Sequence, residues 1–213
     1  MSSANAGPHV VIADPQPLVA EALQTMLEHE CVIVGRVSDG RALVHAVETA
    51  HPDVAVIELA LPLLNGLEAA QQARRIDPSL KIVVVTADED PDMAAEALRS
   101  CASAYVLKRG AGEELMRAIR EVMQHRTYVT PLITNGMVHS LMHGSIERMT
   151  SRLTSRQRQV LQLLAEGKSM KEAADILGIT ARTVAFHKYR MMAQLKITSS
   201  AELIRVAYEA HVV

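Results

Sequence analysis

Four residues with side chains suited to ionic chemistry fall at matching places in the chain. Asp14, Glu58, Thr86 and Lys108 each stand at or near the end of a short apolar run: HVVIA (9–13), DVAVIEL (53–59), KIVVVT (81–86) and ASAYVLK (102–108). If these runs are parallel strands of one sheet, their carboxyl ends share a rim, and two acids, a hydroxyl and an amine converge there. Glu58 is long enough to reach toward Lys108 and Thr86, so a carboxylate facing an amine is the chemistry these residue types permit. A second constellation lies near the other end of the chain. On a helix over 181–195, at about 100° per residue, Arg182, Phe186, Tyr189 and Ala193 share one side. Lys188 and Arg190 flank that side. Phe186 and Tyr189 are two of only five aromatic residues in 213. A face that mixes basic and aromatic groups suits the major groove of DNA, with the flanking cations directed at phosphates.

The elements that must position the first set are legible from pattern. A fifth apolar run, CVIVGRV (31–37), completes the strands, and several runs are apolar on consecutive positions, as strands covered on both faces require. Helical periodicity fills 16–28, 40–50, 66–76, 91–100 and 112–124. Turn signals mark the joins at Asp39-Gly40, His51-Pro52-Asp53, Asn65-Gly66, Asp77-Pro78 and Gly110. The pattern predicts an α/β domain over residues 9–125, a (βα)5 doubly wound parallel sheet with helices on both faces.

Residues 126–150 break this rhythm and are expected to form a linker. Ile133, Met137 and Leu141 recur at spacings of four, so the linker is expected to be helical. His139 and His143 have the spacing of a metal pair, but no carboxylate or cysteine supports them, and a solvated face is the expectation. The acidic run Asp88-Glu89-Asp90-Pro91-Asp92 is likewise expected to be a solvated loop rather than a cation site.

Residues 151–213 predict an all-α domain of four helices. Thr154 caps the first, whose core stripe is Val160, Leu161 and Leu164 and whose stop is Gly167. Ser169 caps a short helix from Met170 to Leu177 that Gly178 closes. Thr180 caps a longer one from Ala181 to Leu195, and Ser199 or Ser200 caps the last. A short helix, a tight glycine-containing turn and a longer basic helix make a helix-turn-helix. On the longer helix Val184, His187, Met191 and Leu195 form the natural core side, so His187 is expected to pack inward.

The formal charge of −2 hides an asymmetry. Residues 150–213 carry ten Lys/Arg and five Asp/Glu, net +5, and residues 1–149 carry twelve and nineteen, net −7. A basic C-terminal piece on an acidic body fits a nucleic-acid-binding module on a regulatory one. Cys31 and Cys101 have no metal-ligand spacing and read as reduced, buried small hydrophobes. The opening MSSANAGPH is a polar tail without a leader's apolar stretch, and no apolar run approaches the ~20 residues of a membrane span. A cytoplasmic protein that meets no membrane is expected.

The stretches VVIADPQPLVAEAL, SDGRALVHAVETAHPDVAVIELALPLLNGLEAA, VVVTADED and AYVLKRGAGEEL resemble the receiver domains of two-component response regulators, a flavodoxin-like fold. The stretches LTSRQRQVLQLLAEGKSMKEAADILGI and TARTVAFHKYRMMAQL resemble the LuxR-type helix-turn-helix of the same branch. The resemblance implies an acidic pair after the first strand and an acceptor aspartate after the third that together hold Mg²⁺. It also implies a Thr or Ser and a Lys that bind the transferred phosphate, and a switching aromatic where Tyr105 stands. Two positions depart from the pattern: Pro15 replaces the second acid of the pair, and Glu58 occupies the phosphoacceptor position. Mg²⁺ prefers near-octahedral oxygen ligands, so losing a carboxylate weakens its site. The extra methylene of Glu58 displaces a nucleophile by ~1.3 Å, and errors of about 1 Å cost ~100-fold.

Phosphorylation at this degenerate pocket is therefore not expected, and no cofactor is. Two readings of Glu58 follow: a partial phosphate mimic biasing the domain toward an active-like state, or a relic ion pair that satisfies a desolvated lysine. The expected function is that of a transcription regulator, not an enzyme, bound to double-stranded DNA. Ser169, Lys171, Arg182, Thr183, Ala185, Phe186, Lys188, Tyr189 and Arg190 are its contact residues. A homodimer is expected through Leu203, Val206 and Ala207 of the last helix and through the receiver, with RNA polymerase or another regulatory protein as a further partner. An adaptor whose receiver docks a partner, with weak DNA binding, is the competing class. A flavodoxin-fold enzyme has no glycine-rich phosphate loop or activated nucleophile in its favour.

Overall fold

Strands buried on both faces need apolar side chains at every position, whereas an edge strand needs them only in part. The computed structural model, which describes residues 7–134 and 153–209, sorts the strands in that way. β1 (His9–Ala13), β3 (Val54–Ile57), β4 (Lys81–Thr86) and β5 (Ala104–Leu107) are buried along almost their whole length. β2 (Val32–Val37), which contains Gly35 and Arg36, is half exposed and lies at the sheet's edge. The strand order is β2-β1-β3-β4-β5-β6, and every pairing is parallel.

Alternation along the strands feeds two cores. On one face Val10, Ile12, Val54, Val56, Val83, Val85 and Val106 pack with α1 (Pro17–Leu27) and α5 (Ala111–Met123). The intervening positions Val11, Ala55, Ile57, Ile82 and Val84 point to the opposite face and are equally buried. Among the helices between strands, α2 (Gly40–Ala50) and α3 (Gly66–Ile76) pack on each other, and α4 (Pro91–Ser100) packs on β5. Alanines at 69, 70, 73, 94 and 97 are fully buried, so α3 and α4 can approach closely without large side chains. Both cysteines are buried and free, and burial pushes the Cys101 thiol up to about 11.

The sheet has one strand more than the sequence pattern predicts. β6 (Tyr128–Val129) pairs in parallel with β5, Ala104 opposite Tyr128 and Tyr105 opposite Val129. Tyr128 is buried in the α1–α5 core, with the Arg117 guanidinium 5.7 Å from its ring centroid. The Thr130 hydroxyl accepts the Leu107 amide at 3.1 Å. The α/β unit therefore runs past residue 125, because residues 128–133 complete its sheet and cover its core. Residues 131–134 are helical, and of the linker pattern Ile133 is buried. Met137, Leu141, His139 and His143 lie outside the described residues.

The second unit holds α6 (Ser155–Ala165), α7 (Met170–Leu177), α8 (Ala181–Leu195) and α9 (Ser200–Glu209) around one core. Local chemistry sets its boundaries. Thr154 with Gln157, and Ser169 with Glu172, form reciprocal capping boxes, and Thr180 accepts the Thr183 amide. Gly178 closes α7 at φ +64°, a conformation in which a Cβ is strained. Leu203, Val206 and Ala207 are 1%, 3% and 0% exposed, packed inside this core. The expected dimer contact through these three residues is therefore corrected: the apolar stripe of α9 is used within the monomer. Among the described residues no helix is long and apolar enough to cross a membrane.

Candidate functional site

The strand order reverses between β1 and β3, and the crevice at such a switch point opens at the carboxyl ends of the strands. Ala13 and Ile57 are register partners, so the residues that follow them, Asp14 and Glu58, leave the sheet side by side. Thr86 pairs with Leu107, which delivers Lys108 to the same rim. Gly66 permits the turn that holds Glu58, since a Cβ there would lie 2.1 Å from the Glu58 carbonyl oxygen.

The four side chains form one network. The Lys108 ammonium lies 2.6 Å from Asp14 Oδ2 and 2.7 Å from Glu58 Oε2. Thr86 donates its hydroxyl to Glu58 Oε1 at 2.7 Å, and the amides of Leu59 and Ala60 donate to the same oxygen at 2.6 and 3.2 Å. Asp14 Oδ1 accepts the Gln16 amide at 2.8 Å. Burial acts to lower the pKa of Lys108, but hydrogen bonds to Asp14 and Glu58 outweigh it and leave the value raised. The amine is thus held charged between two nearly buried carboxylates.

This arrangement does not fit Mg²⁺. Pro15 adds no side-chain oxygen where the pattern has a second acid, and the two carboxylates that remain both face the Lys108 ammonium. Asp14 and Pro15 line a cleft of about 440 Å³ with Glu21, Arg36 and Ser38, but Glu58, Thr86 and Lys108 are not among its walls. Tyr105 is fully buried and donates its hydroxyl to the Asp88 carbonyl at 2.9 Å. In the acidic loop the Asp88 and Asp90 side chains accept the Asp90 and Asp92 amides, which starts α4. Sequence reasoning places these residues on one rim. It does not give the double engagement of Lys108 or the two backbone donors to Glu58, because both depend on loop conformation.

On α8, Val184, Met191 and Leu195 are buried and His187 is only half-buried, its ring edge-on to Phe186 at 5.7 Å. Burial, with Arg156 and Arg190 nearby, lowers the pKa of His187. Phe186 and Tyr189 are 57% and 62% exposed, Arg182 is exposed and Ala185 half-buried. Lys188 lies 5.7 Å from the Tyr189 ring centroid, and Arg190 5.9 Å from that of Phe186. Lys171 is exposed on α7. The Thr183 hydroxyl is 2.9 Å from that of Thr180, within the cap of α8. At the start of α7, Glu172 accepts the Ser169 amide at 2.8 Å and Ser169 Oγ accepts the Glu172 amide.

Comparison with known proteins bears on both units. Residues 10–120 match the response regulator receiver domain, and residues 151–207 match the bacterial regulatory proteins of the luxR family. The chain is 30% identical over 207 residues to the oxygen regulatory protein NreC of Staphylococcus aureus, covering 93% of this chain and 95% of that one. It is 28% identical over 206 residues to the transcriptional regulatory protein MctR of Rhizobium johnstonii, covering 96% and 94%. Among solved structures, the RcsB response regulator of Salmonella typhimurium aligns with a TM-score of 0.66 at 26% identity, over 98% of this chain and 99% of that one.

Proposed function

Because the chain belongs to the two-component response regulators, with a receiver domain and a LuxR-type helix-turn-helix, we propose that it regulates transcription by sequence-specific DNA binding without aspartyl phosphorylation. The observation that carries the second half is the Lys108 ammonium seated between Asp14 and Glu58. A phosphodonor needs a free nucleophile and a divalent cation to offset charge; here the acceptor carboxylate is fully engaged and the cation is the protein's own amine. Glu58 also takes the hydroxyl and amine that the receiver resemblance assigns to a phosphate. The mimic reading of Glu58 is therefore favoured over a relic pair, with Tyr105 turned inward as the buried aromatic.

DNA binding is assigned to α7 and α8, with Arg182, Ala185, Phe186 and Tyr189 toward the groove and Ser169, Lys171, Thr183, Lys188 and Arg190 toward phosphates. A homodimer that uses α9 must use its outer residues, such as Arg205 and Tyr208, since its inner stripe is buried. The testing experiment is incubation of the full chain with acetyl phosphate and Mg²⁺, followed by intact-mass and peptide analysis. No added phosphoryl group is expected. A stable adduct on Glu58 would overturn the proposal.

A further inference from the structure

The groove-directed side of α8 is chemically one-sided. Arg182, Ala185, Phe186, Tyr189 and Ala193 fall within about 100° of arc on the helix, and the core side opposite is already filled by Val184, Met191 and Leu195. That arc contains no Asn, Gln, Asp or Glu. Adenine is read in the major groove through an amide that spans N6 and N7, and cytosine through an acceptor for N4; this face supplies neither. Arg182 supplies the fork that reads guanine. What remains is apolar: a methyl at Ala185 and two aromatic rings that are 57% and 62% exposed. The only base feature in the major groove that rewards apolar contact is the C5-methyl group of thymine.

Two further features favour duplex DNA as the occupant of these rings. Arg190 and Lys188 already lie against the Phe186 and Tyr189 rings, so each ring is flanked by a cation placed for the neighbouring phosphates. The surrounding segment, residues 150–213, is net +5 while the rest of the chain is net −7. Exposed aromatics would otherwise be a liability in water, and a polyanion with a methyl-lined groove satisfies both the charge and the apolar surface.

We propose that this regulator identifies its sites by thymine methyl groups read by Phe186 and Tyr189, with a guanine read by Arg182 as the fixed point. The proposal rests on the DNA-binding reading and names what that face recognises. Sites would be selected from a random duplex library with the full-length protein, then resynthesised with single thymines replaced by uracil. Uracil keeps the O4 acceptor and lacks only the C5-methyl. At one or two positions of each half-site, the parent protein is expected to lose about fourfold in affinity per methyl removed, the scale of one methyl group taken from water. Phe186→Ala and Tyr189→Ala should each abolish the penalty at one position, and Phe186→Leu, which keeps an apolar tip, should retain most of it. Equal binding of thymine and uracil sites by the parent overturns the proposal and leaves the DNA-binding reading standing. So does a uracil penalty that persists unchanged in both alanine variants. Failure to enrich any sequence overturns the DNA-binding reading and this proposal together.

Discussion

Lys108 separates the two carboxylates of the receiver crevice, and the strongest consequence at this scale is what happens without it. Lys108→Met would leave Asp14 and Glu58 nearly buried and facing each other with no cation, a change expected to cost about 3–5 kcal/mol in urea unfolding. Glu58→Gln keeps an acceptor for Thr86 and leaves Lys108 its bond to Asp14, so its cost should be clearly smaller. Equal losses would mean that the network is not organised around the amine. Restoring the missing acid while shortening the acceptor, Pro15→Asp with Glu58→Asp, is expected to produce a Mg²⁺-dependent rise in melting temperature that the parent lacks. An unchanged melting curve would show that those two residues do not account for the lost site. The chemistry of this pocket was legible because Asp14, Glu58, Thr86 and Lys108 sit at strand ends, where one-dimensional pattern and three-dimensional position coincide. The Leu59 and Ala60 amides were not, since a backbone donor carries no residue-type signal.

Helices α7 and α8 have the bounds that the sequence predicts, and the reason is local: Ser169, Thr180 and Gly178 start and stop them through contacts within four residues. Ser169→Ala should cost the C-terminal unit about 1 kcal/mol, read from its denaturation midpoint. His187 adds a pH dependence. Its folded pKa is lowered, so the stabilisation is present above the unfolded value of about 6.5 and is lost as pH falls through the folded value. The melting temperature of this unit should therefore drop below about pH 6.5, and His187→Gln should flatten that drop. A melting temperature that rises on acidification would contradict the assignment. The stripe on α9 was misassigned for a different reason. Periodicity shows that Leu203, Val206 and Ala207 share a face, but an apolar face looks the same in sequence whether a neighbouring helix or a second copy covers it.

Across the molecule, the opposed charges of the two halves predict that DNA affinity is strongly salt-dependent and that this dependence resides in residues 150–213. Lys188→Ala should weaken specific and scrambled duplexes alike and lower the slope of log affinity against log salt by about one unit. Phe186→Ala should leave the slope unchanged and reduce discrimination. A salt titration in which both variants behave alike would reverse the orientation of α8 proposed here. The sixth strand carries a consequence of another kind. It spans two residues and owes its existence to pairing with β5, so no window of sequence around it announces a strand. A receiver fragment cut at residue 125 would shed it, leaving the Ser103 and Tyr105 carbonyls and the Leu107 amide without their partners Tyr128 and Thr130. That fragment would present an open, apolar sheet edge to its neighbours in solution and would aggregate, whereas one carried on to residue 134 would keep its border sealed.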